Sequence, residues 1–118
     1  MSAFARVRRI GLTLPDVTAA MRYDGSPRLL VGGCFMAGLA SHPSAEPDSL
    51  VVRVTPEERE LLVEDAPDTY YVTDYYRKYP LVLIRLGHIG SDALREMLSI
   101  SRTLTLPKTR RQHGSRPA

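Results

Sequence analysis

This sequence of 118 residues contains a single cysteine and no long hydrophobic run near its N-terminus. Cys34 alone cannot form a disulfide within the chain. The first fifteen residues, MSAFARVRRIGLTLP, hold no apolar stretch of the length that a signal peptide or a membrane span requires. We therefore expect a cytoplasmic protein with no disulfide and no membrane partner.

Motifs that carry catalysis are also missing from the sequence. The histidines are widely separated, at His42, His88 and His113. None of them stands in the spacing of a metal or nucleophile site such as HExxH, and no phosphate-loop pattern surrounds Gly32-Gly33. The acidic residues at 57–65 fit the solvated face of a surface helix. We expect no catalytic residue, no metal site and no cofactor.

The positive charge of the chain is concentrated in its last residues. The formal net charge is +3, and residues 107–118 hold four cations and no acid, which leaves −1 on residues 1–106. The four cations are Lys108, Arg110, Arg111 and Arg116. Because this segment is also rich in Pro, Gly and Ser, the sequence predicts one domain over residues 1–106 and a disordered basic tail over residues 107–118.

Hydrophobic periodicity predicts the elements of the first half. Apolar residues at helical spacing indicate a helix over residues 2–12. Two-residue turn signals at Asp24-Gly25 and Gly32-Gly33 separate strands predicted at residues 20–23, 28–32 and 34–40. An exposed loop over residues 41–49 precedes a fourth strand at residues 50–54, whose Leu50, Val52 and Val54 should face the core.

The second half begins with a clear helix signal. Pro56 follows Thr55 directly, and Glu58 lies three residues after Thr55. This pattern predicts a capped helix from Pro56 to residue 63 or 65. A buried strand is expected at residues 81–86 and a last helix from Ser91, ending before Pro107. These elements predict an α+β domain of two layers, with a mainly antiparallel sheet and three helices packed on one face.

Strand alternation places a second set of side chains on the other face of this sheet. That set mixes aliphatic residues with arginines: Leu30, Val51, Arg53, Leu83 and Arg85. The same alternation places Arg28 and Leu81 on this face. Such a surface could bind a protein partner, a second copy of the chain or nucleic acid. Alternatively, residues 70–76 or the basic tail cover it.

Five tyrosines crowd the segment TYYVTDYYRKYP at residues 69–80, which we expect to be a loop or a short strand. Tyr75 and Tyr76 could stack on bases while Arg77 and Lys78 hold phosphates. The alternative, which we favour for most of the tyrosines, is that the rings pack at the edge of the core and keep their hydroxyls in water.

Several motifs in this order resemble the MmcQ/YjbR family of small bacterial proteins, often described as DNA-binding. The resemblance spans about residues 5 to 108 and includes LPDV, YDGSP, VGGCFMAGL, LVVRVTPEERELLVED, APDTYYVTDYYRKYPLVLIRL and a closing LPK. It implies a YjbR-like α+β fold, similar to secretion chaperones, and DNA contact through winged hairpins. Cys34 and Gly38 stand where the family typically has basic residues, so this hairpin is expected to attract phosphate less strongly.

The function expected from the sequence is a non-enzymatic YjbR-like binding module that contacts DNA phosphates without sequence selectivity. The expected contacts are Arg77, Lys78, Lys108, Arg110 and Arg111. Two alternatives remain open at this point. One is a protein-interaction module or homodimer that uses the second sheet face, and the other is a small-ligand pocket near the tyrosines.

Overall fold

Six antiparallel strands form a single sheet in this computed structural model, which describes the backbone of residues 3–114 and the side chains of residues 3–107. The strands are β1 (Val17–Met21), β2 (Pro27–Val31), β3 (Cys34–Leu39), β4 (Ser49–Arg53), β5 (Tyr70–Tyr71) and β6 (Leu81–Arg85), and they lie in the order β1-β2-β3-β4-β6-β5. The helices are α1 (Phe4–Gly11), α2 (Pro56–Asp65), α3 (Asp74–Arg77) and α4 (Ser91–Gly114), with one 3-10 turn at Leu86–His88. The predicted α+β class with a mainly antiparallel sheet is confirmed.

The main hydrophobic core lies between the sheet and three helices. On this inner face, α1, α2 and α4 contribute apolar side chains to one cluster with the strands. The residues predicted to face the core are buried in that cluster: Leu50, Val52, Val54, Val82, Ile84 and Leu86. Each fully buried aliphatic side chain stabilises the fold by about 1.5–3 kcal/mol. The predicted packing of three helices on one sheet face is therefore confirmed.

The first strand starts and ends earlier than predicted, at residues 17–21 instead of 20–23. The cause is a turn that needs five residues. Asp24 Oδ1 accepts hydrogen bonds from the backbone N–H and the hydroxyl of Ser26, and the Arg22 N–H donates to the Ser26 carbonyl. Gly25 has φ +88°, a conformation that favours glycine. The side-chain pattern around Met21 did not reveal how far this turn extends.

A β-bulge in β3 changes which of its residues face the core. Gly32 and Gly33 have φ values of +59° and +80°, as a tight hairpin turn requires, so the predicted turn between β2 and β3 is confirmed. Beyond that turn Phe35 pairs with Leu30 and Ala37 with Leu29, so Met36 is the extra residue. A bulge lets two consecutive residues point inward, and both Met36 and Ala37 are fully buried.

The structure adds a short helix, α3, which the sequence did not predict. The residues predicted as a loop or short strand form β5 and then α3, which begins where the Thr73 hydroxyl accepts a hydrogen bond from the N–H of Tyr76. Tyr76, the buried residue of α3, packs against strand residues of the sheet face opposite to α1, α2 and α4. A Thr-Asp pair is a helix-start signal, but the four helical residues are too few to show a period.

The last helix is longer than predicted. It was expected to end before Pro107, but its backbone continues through Pro107 to Gly114. Proline removes one helical hydrogen bond without necessarily ending a helix, and Leu106 still packs against the core just before it. Residues 115–118 of the predicted tail lie outside the described residues. No helix within residues 3–114 has the length and apolarity needed to cross a bilayer.

Candidate functional site

The outer face of the sheet carries a small second core. Tyr76 of α3 lies over Val51 of β4 and Leu83 of β6, and the three side chains are 7%, 6% and 0% exposed. The strand faces are as predicted, because Val51 and Leu83 do point away from the inner core. The tyrosine segment, residues 69–80, nevertheless covers them. Coverage by residues 70–76 was the alternative to an exposed contact surface. An aliphatic patch open to a partner is therefore not present at these two residues.

The arginines of the predicted partner face are engaged within the chain. Arg85 forms a bidentate ion pair with Glu46, with both N–O distances 2.8 Å, and its guanidinium lies 4.2 Å from the ring centroid of Tyr71. Arg53 donates from Nε to the Phe35 carbonyl at 3.0 Å. The remaining member, Leu30, is half-buried beside Phe35 on β3. The five residues therefore stabilise the sheet and do not form a free surface.

A cavity of about 260 Å³ opens beside this second core, between the sheet and the tyrosine segment. Aromatic and aliphatic side chains form most of its wall: Phe35, Leu39, Ala40, Val51, Tyr75, Tyr76, Tyr79 and Leu81. The charged residues in the wall are Arg22 and Arg28, and the wall contains no carboxylate. We call this cavity the outer pocket. Its lining is typical of a small-ligand site, mostly apolar with a few polar groups.

Phe35 lies between two guanidinium groups at the outer pocket. The guanidinium carbon of Arg28 is 5.2 Å from the ring centroid of Phe35, and that of Arg53 is 5.8 Å away. Burial lowers the pKa of Arg53, although that group stays charged at any physiological pH. Each guanidinium group is attracted to the electron-rich face of the Phe35 ring. Both positive charges therefore lie near this ring.

Exposed cations stand at the rim of the outer pocket, on and after α3. Lys78 Nζ lies 4.9 Å from the ring centroid of Tyr75 and 5.5 Å from that of Tyr79. Arg77 makes a 4.0 Å ion pair with Asp74 on the helix surface. A pair this exposed is worth little and leaves the guanidinium accessible. The two cations predicted to hold phosphates, Arg77 and Lys78, are thus both exposed to solvent.

The tyrosines predicted to stack on bases have different environments. Tyr76 is buried, so a stacking role for it is contradicted by its placement. Tyr75 is 38% exposed, but the imidazole of His42 stacks on it with a centroid distance of 3.6 Å and an interplanar angle of 9°. One face of that ring is therefore already occupied. Charge interaction with the neighbouring Tyr79 phenol is the largest of the effects that raise the pKa of the Tyr75 phenol, followed by burial and a hydrogen bond with Tyr79.

The predicted contacts in the tail cannot be placed. Lys108, Arg110 and Arg111 belong to the helical backbone of α4, but their side chains lie outside the described part of the structure.

Among the side chains of residues 3–107, no three His, Cys, Asp or Glu residues gather closely enough to hold a metal ion. Glu46 of the 41–49 loop is engaged with Arg85, and hydrogen bonding from that guanidinium lowers the pKa of its carboxyl group.

The sequence did not single out Arg22, Arg28, Phe35 or His42 as site residues, yet all four lie at or beside the outer pocket. Arg22 belongs to the turn after β1, and Phe35 reaches the outer face next to the bulge at Met36. Strand alternation did place Arg28 on this face. The other positions depend on a bulge and on loop conformations that leave no periodic signal.

The fold has a counterpart among solved structures. A crystal structure of Deinococcus radiodurans protein DR2400, which contains a domain of the family model DUF419, superposes with a TM-score of 0.68 at 22% sequence identity. The match covers 92% of this chain and 85% of that chain. The likeness establishes the fold. DUF419 is related to the MmcQ/YjbR family, while no protein-family model and no curated protein sequence matches this sequence.

Proposed function

We propose that this chain is a YjbR-like, non-enzymatic binding module that contacts DNA through its phosphates. The observation that carries the proposal is the cluster of cations around Tyr75 and Tyr79, with Lys78 against both rings and Arg22 in the adjoining acid-free pocket wall. Clustered cations next to aromatic rings are typical of surfaces that bind nucleic acid. Arg77, one residue before Lys78, adds a third cation, and its side chain is exposed.

The two carboxyl groups with lowered pKa values, Asp24 and Glu46, have structural partners. The pKa of Asp24 is lowered by hydrogen bonds from Ser26, and the pKa of Glu46 is lowered by the hydrogen bond from Arg85. A carboxyl group that serves as a general acid needs a raised pKa. These two carboxylates instead stabilise a turn and a loop.

The contacts proposed here are to phosphates and carry little sequence selectivity. Reading base edges in the major groove usually needs an inserted helix or a β-ribbon, and α3 has only four residues. Tyr76 is buried and one ring face of Tyr75 is covered by His42, so stacking on bases is restricted as well. Phosphate contacts fix a protein on the nucleic acid without reading its sequence.

The C-terminal cations add to this proposal from outside the described side chains. Residues 108–118 contain Lys108, Arg110, Arg111 and Arg116, whereas the first 106 residues carry −1. We propose that this segment supplies most of the attraction to the polyanion. The cations at α3 would then position the domain.

The test is the salt dependence of binding, measured by fluorescence anisotropy with labelled duplex and single-stranded oligonucleotides. Each neutralised phosphate contributes about −0.9 to the slope of log affinity against log salt for duplex DNA. Deleting residues 108–118 should therefore flatten the slope by up to about 3.6, and Arg77→Ala with Lys78→Ala by up to about 1.8. Absence of salt-dependent binding by the full chain would rule the proposal out.

A matched control separates a local surface from net charge. Arg8 and Arg9 are exposed at the end of α1, on the helix-covered side of the sheet. The double variant Arg8→Ala with Arg9→Ala removes the same charge as the α3 double variant. Because these arginines lie on the other side of the sheet, the slope of log affinity against log salt should stay that of the parent. If both double variants flatten the slope equally, the α3 surface has no specific part in binding.

The alternative of a protein partner or homodimer on the outer face gains no support from the residues that suggested it. Val51 and Leu83 are buried beneath Tyr76, and Arg53 and Arg85 are bonded within the chain. A stable interface needs a sizeable accessible apolar centre. The other alternative, a small ligand near the tyrosines, does have a cavity.

A further inference from the structure

We infer that the outer pocket is a binding site for a small, free, planar aromatic anion, a single ring carrying a carboxylate or a phosphate group. This inference goes beyond DNA binding and does not depend on it. The pocket lies between β2, β3 and β4 on one side and the tyrosine segment on the other. Two properties of its wall lead to this ligand class, charge and a flat apolar surface, and Gly38 lets two residues of that wall pack closely together.

The charge of the wall favours an anion. Arg22 and Arg28 are its charged residues, with no carboxylate among the residues that line it. Nε of Arg28 is buried and has no hydrogen-bond partner, whereas Arg22 donates to the Ser41 hydroxyl. Because Arg28 lines the pocket, its guanidinium can donate to a carboxylate or phosphate oxygen of a ligand there. Arginine binds these two groups well because its donors match their geometry.

The apolar surface of the wall favours a flat ring. Phe35 forms one side, with Arg28 over its ring, and the rings of Tyr75 and Tyr79 stand at the mouth. The centroids of these two tyrosine rings are 6.1 Å apart and the angle between the ring planes is 58°. The two rings therefore form an angled wall. Aromatic rings attract one another in offset and edge-to-face arrangements. A planar ligand could contact Phe35 or a tyrosine while its anionic group reaches Arg28.

Gly38 lets Phe35 and Arg28, two residues of the wall, pack close to β3. It pairs with Arg28 across β2 and β3, and a Cβ added to it would lie 3.0 Å from Cε1 of Phe35 and 3.2 Å from Cβ of Arg28. Its φ is not in the left-handed region, so backbone conformation does not require glycine here. The position instead requires that no side chain occupy the space beside Phe35 and Arg28. A larger residue would displace both groups that the ligand is inferred to contact.

The size of the pocket limits the ligand to one ring. At about 260 Å³ the cavity lies just below the range of roughly 300–1,000 Å³ typical of small-molecule sites. An anion with a single ring fits such a volume, whereas a nucleotide would extend out of the mouth past Tyr79. A bare inorganic anion would leave the apolar wall without a contact.

The test is a titration of the full chain followed by amide chemical shifts, with phenyl phosphate as the probe. Inorganic phosphate and benzyl alcohol serve as the anion without a ring and the ring without an anion. Phenyl phosphate should bind with a millimolar or lower dissociation constant and shift the amides of β2, β3 and the tyrosine segment. Both comparison compounds should bind about tenfold more weakly or worse, because each loses one kind of contact.

Two variants test the residues. Arg28→Met keeps an unbranched stem and removes the guanidinium, so phenyl phosphate should bind about tenfold more weakly. Gly38→Ala should reduce binding by narrowing the site, with the melting temperature reporting separately on the fold. Arg9→Met, on α1, removes one charge far from the pocket and should bind phenyl phosphate like the parent.

Four results would overturn the inference. They are no shift at millimolar phenyl phosphate, equal binding of inorganic phosphate, unchanged binding by a folded Arg28→Met variant, and displacement of phenyl phosphate from the amides of β2 and β3 by a duplex oligonucleotide. The last result would make the pocket part of a nucleic-acid surface, whereas duplex binding that shifts only the tyrosine segment would not. DNA binding that fails in the anisotropy experiment leaves this inference standing, because the probe here is a free small molecule.

Discussion

The hydroxyl oxygen of Ser101 on α4 lies 2.6 Å from the carbonyl oxygen of Met36, to which it donates a hydrogen bond. Met36 is the extra residue of the bulge in β3, so its carbonyl is displaced from the regular ladder of the sheet. The same hydroxyl accepts a hydrogen bond from the N–H of Arg53 at 2.9 Å. One fully buried side chain thus ties α4 to β3 and β4, at the bulge that β3 forms in its pairing with β2.

Ser101→Ala should lower the free energy of unfolding by about 1–3 kcal/mol, because it leaves a buried carbonyl and a buried N–H without a partner. Chemical denaturation measures this. Ser99→Ala, on the same helix and only half-buried, is the control and should change stability by less than about 0.5 kcal/mol. Equal stability of both variants would mean that water replaces the Ser101 hydroxyl without cost.

Thr55→Ala should cost about 1 kcal/mol of stability, because both halves of a capping box are present. The Glu58 N–H donates to the Thr55 hydroxyl at 3.1 Å, and the Thr55 N–H donates to the Glu58 carboxylate at 3.0 Å. Thr55→Ser keeps the hydroxyl and should restore most of the stability. A denaturation midpoint for Thr55→Ala equal to that of the parent would show that α2 does not depend on this cap.

Leu83→Ala should destabilise the protein by about 2–5 kcal/mol, the usual range for a fully buried leucine. Leu83 lies beneath Tyr76 and is 0% exposed. Leu50 in the inner core is also 0% exposed, so Leu50→Ala should have a similar effect. Leu61→Ala is the matched surface control, since Leu61 is 60% exposed. If Leu83→Ala behaved like Leu61→Ala, the tyrosine segment would not cover the outer face in solution.

The ion pair of Glu46 with Arg85 should make stability depend on acidity. The Arg85 hydrogen bond lowers the pKa of the Glu46 carboxyl group in the folded protein. Its contribution is therefore fully present above the carboxyl pKa of the unfolded chain and is lost as the pH falls through the lowered folded-state pKa. The parent should be more stable than Glu46→Gln near neutral pH, and the difference should shrink as the pH falls below the usual pKa of a glutamate side chain.

Urea denaturation of both proteins across this range measures the effect. Glu64→Gln, at an exposed position of α2, is the control and should follow the parent. A difference between the parent and Glu46→Gln that stayed constant with pH would show that the ion pair does not contribute. Because Glu46 is well exposed, the expected effect is small.

Local sequence signals predicted several parts of the fold correctly. Thr55 and Glu58 specify the start of α2 through bonds among neighbouring residues. Gly32 and Gly33 specify the turn between β2 and β3, because that turn requires a positive φ at both positions and glycine adopts it without strain. Alternation in β4 and β6 assigned Leu50 and Ile84 to the inner core and Val51 and Leu83 to the outer face, since side chains of a strand point to opposite sides.

The candidate site was harder to predict than the fold. Arg77 and Lys78 were predicted as phosphate contacts because charge next to tyrosines is visible in the sequence, and their role stays a prediction. Arg22 and Phe35 were missed, because one is placed by a turn and the other by a neighbouring bulge. Burial of Tyr76 was not decided by its residue type, since tyrosine suits both a wet edge and a packed surface.

The sequence by itself determined most local elements and the inward faces of β4 and β6, because caps, glycine turns and apolar periods act between residues close in the chain. Only the tertiary structure decided what covers the outer face. There Tyr76 comes from one segment, Phe35 and Gly38 from another, and Arg28 from a third, and the pocket wall depends on a bulge and a missing side chain that both lie on β3. Such a coincidence depends on contacts between distant residues, which leave no pattern along the chain.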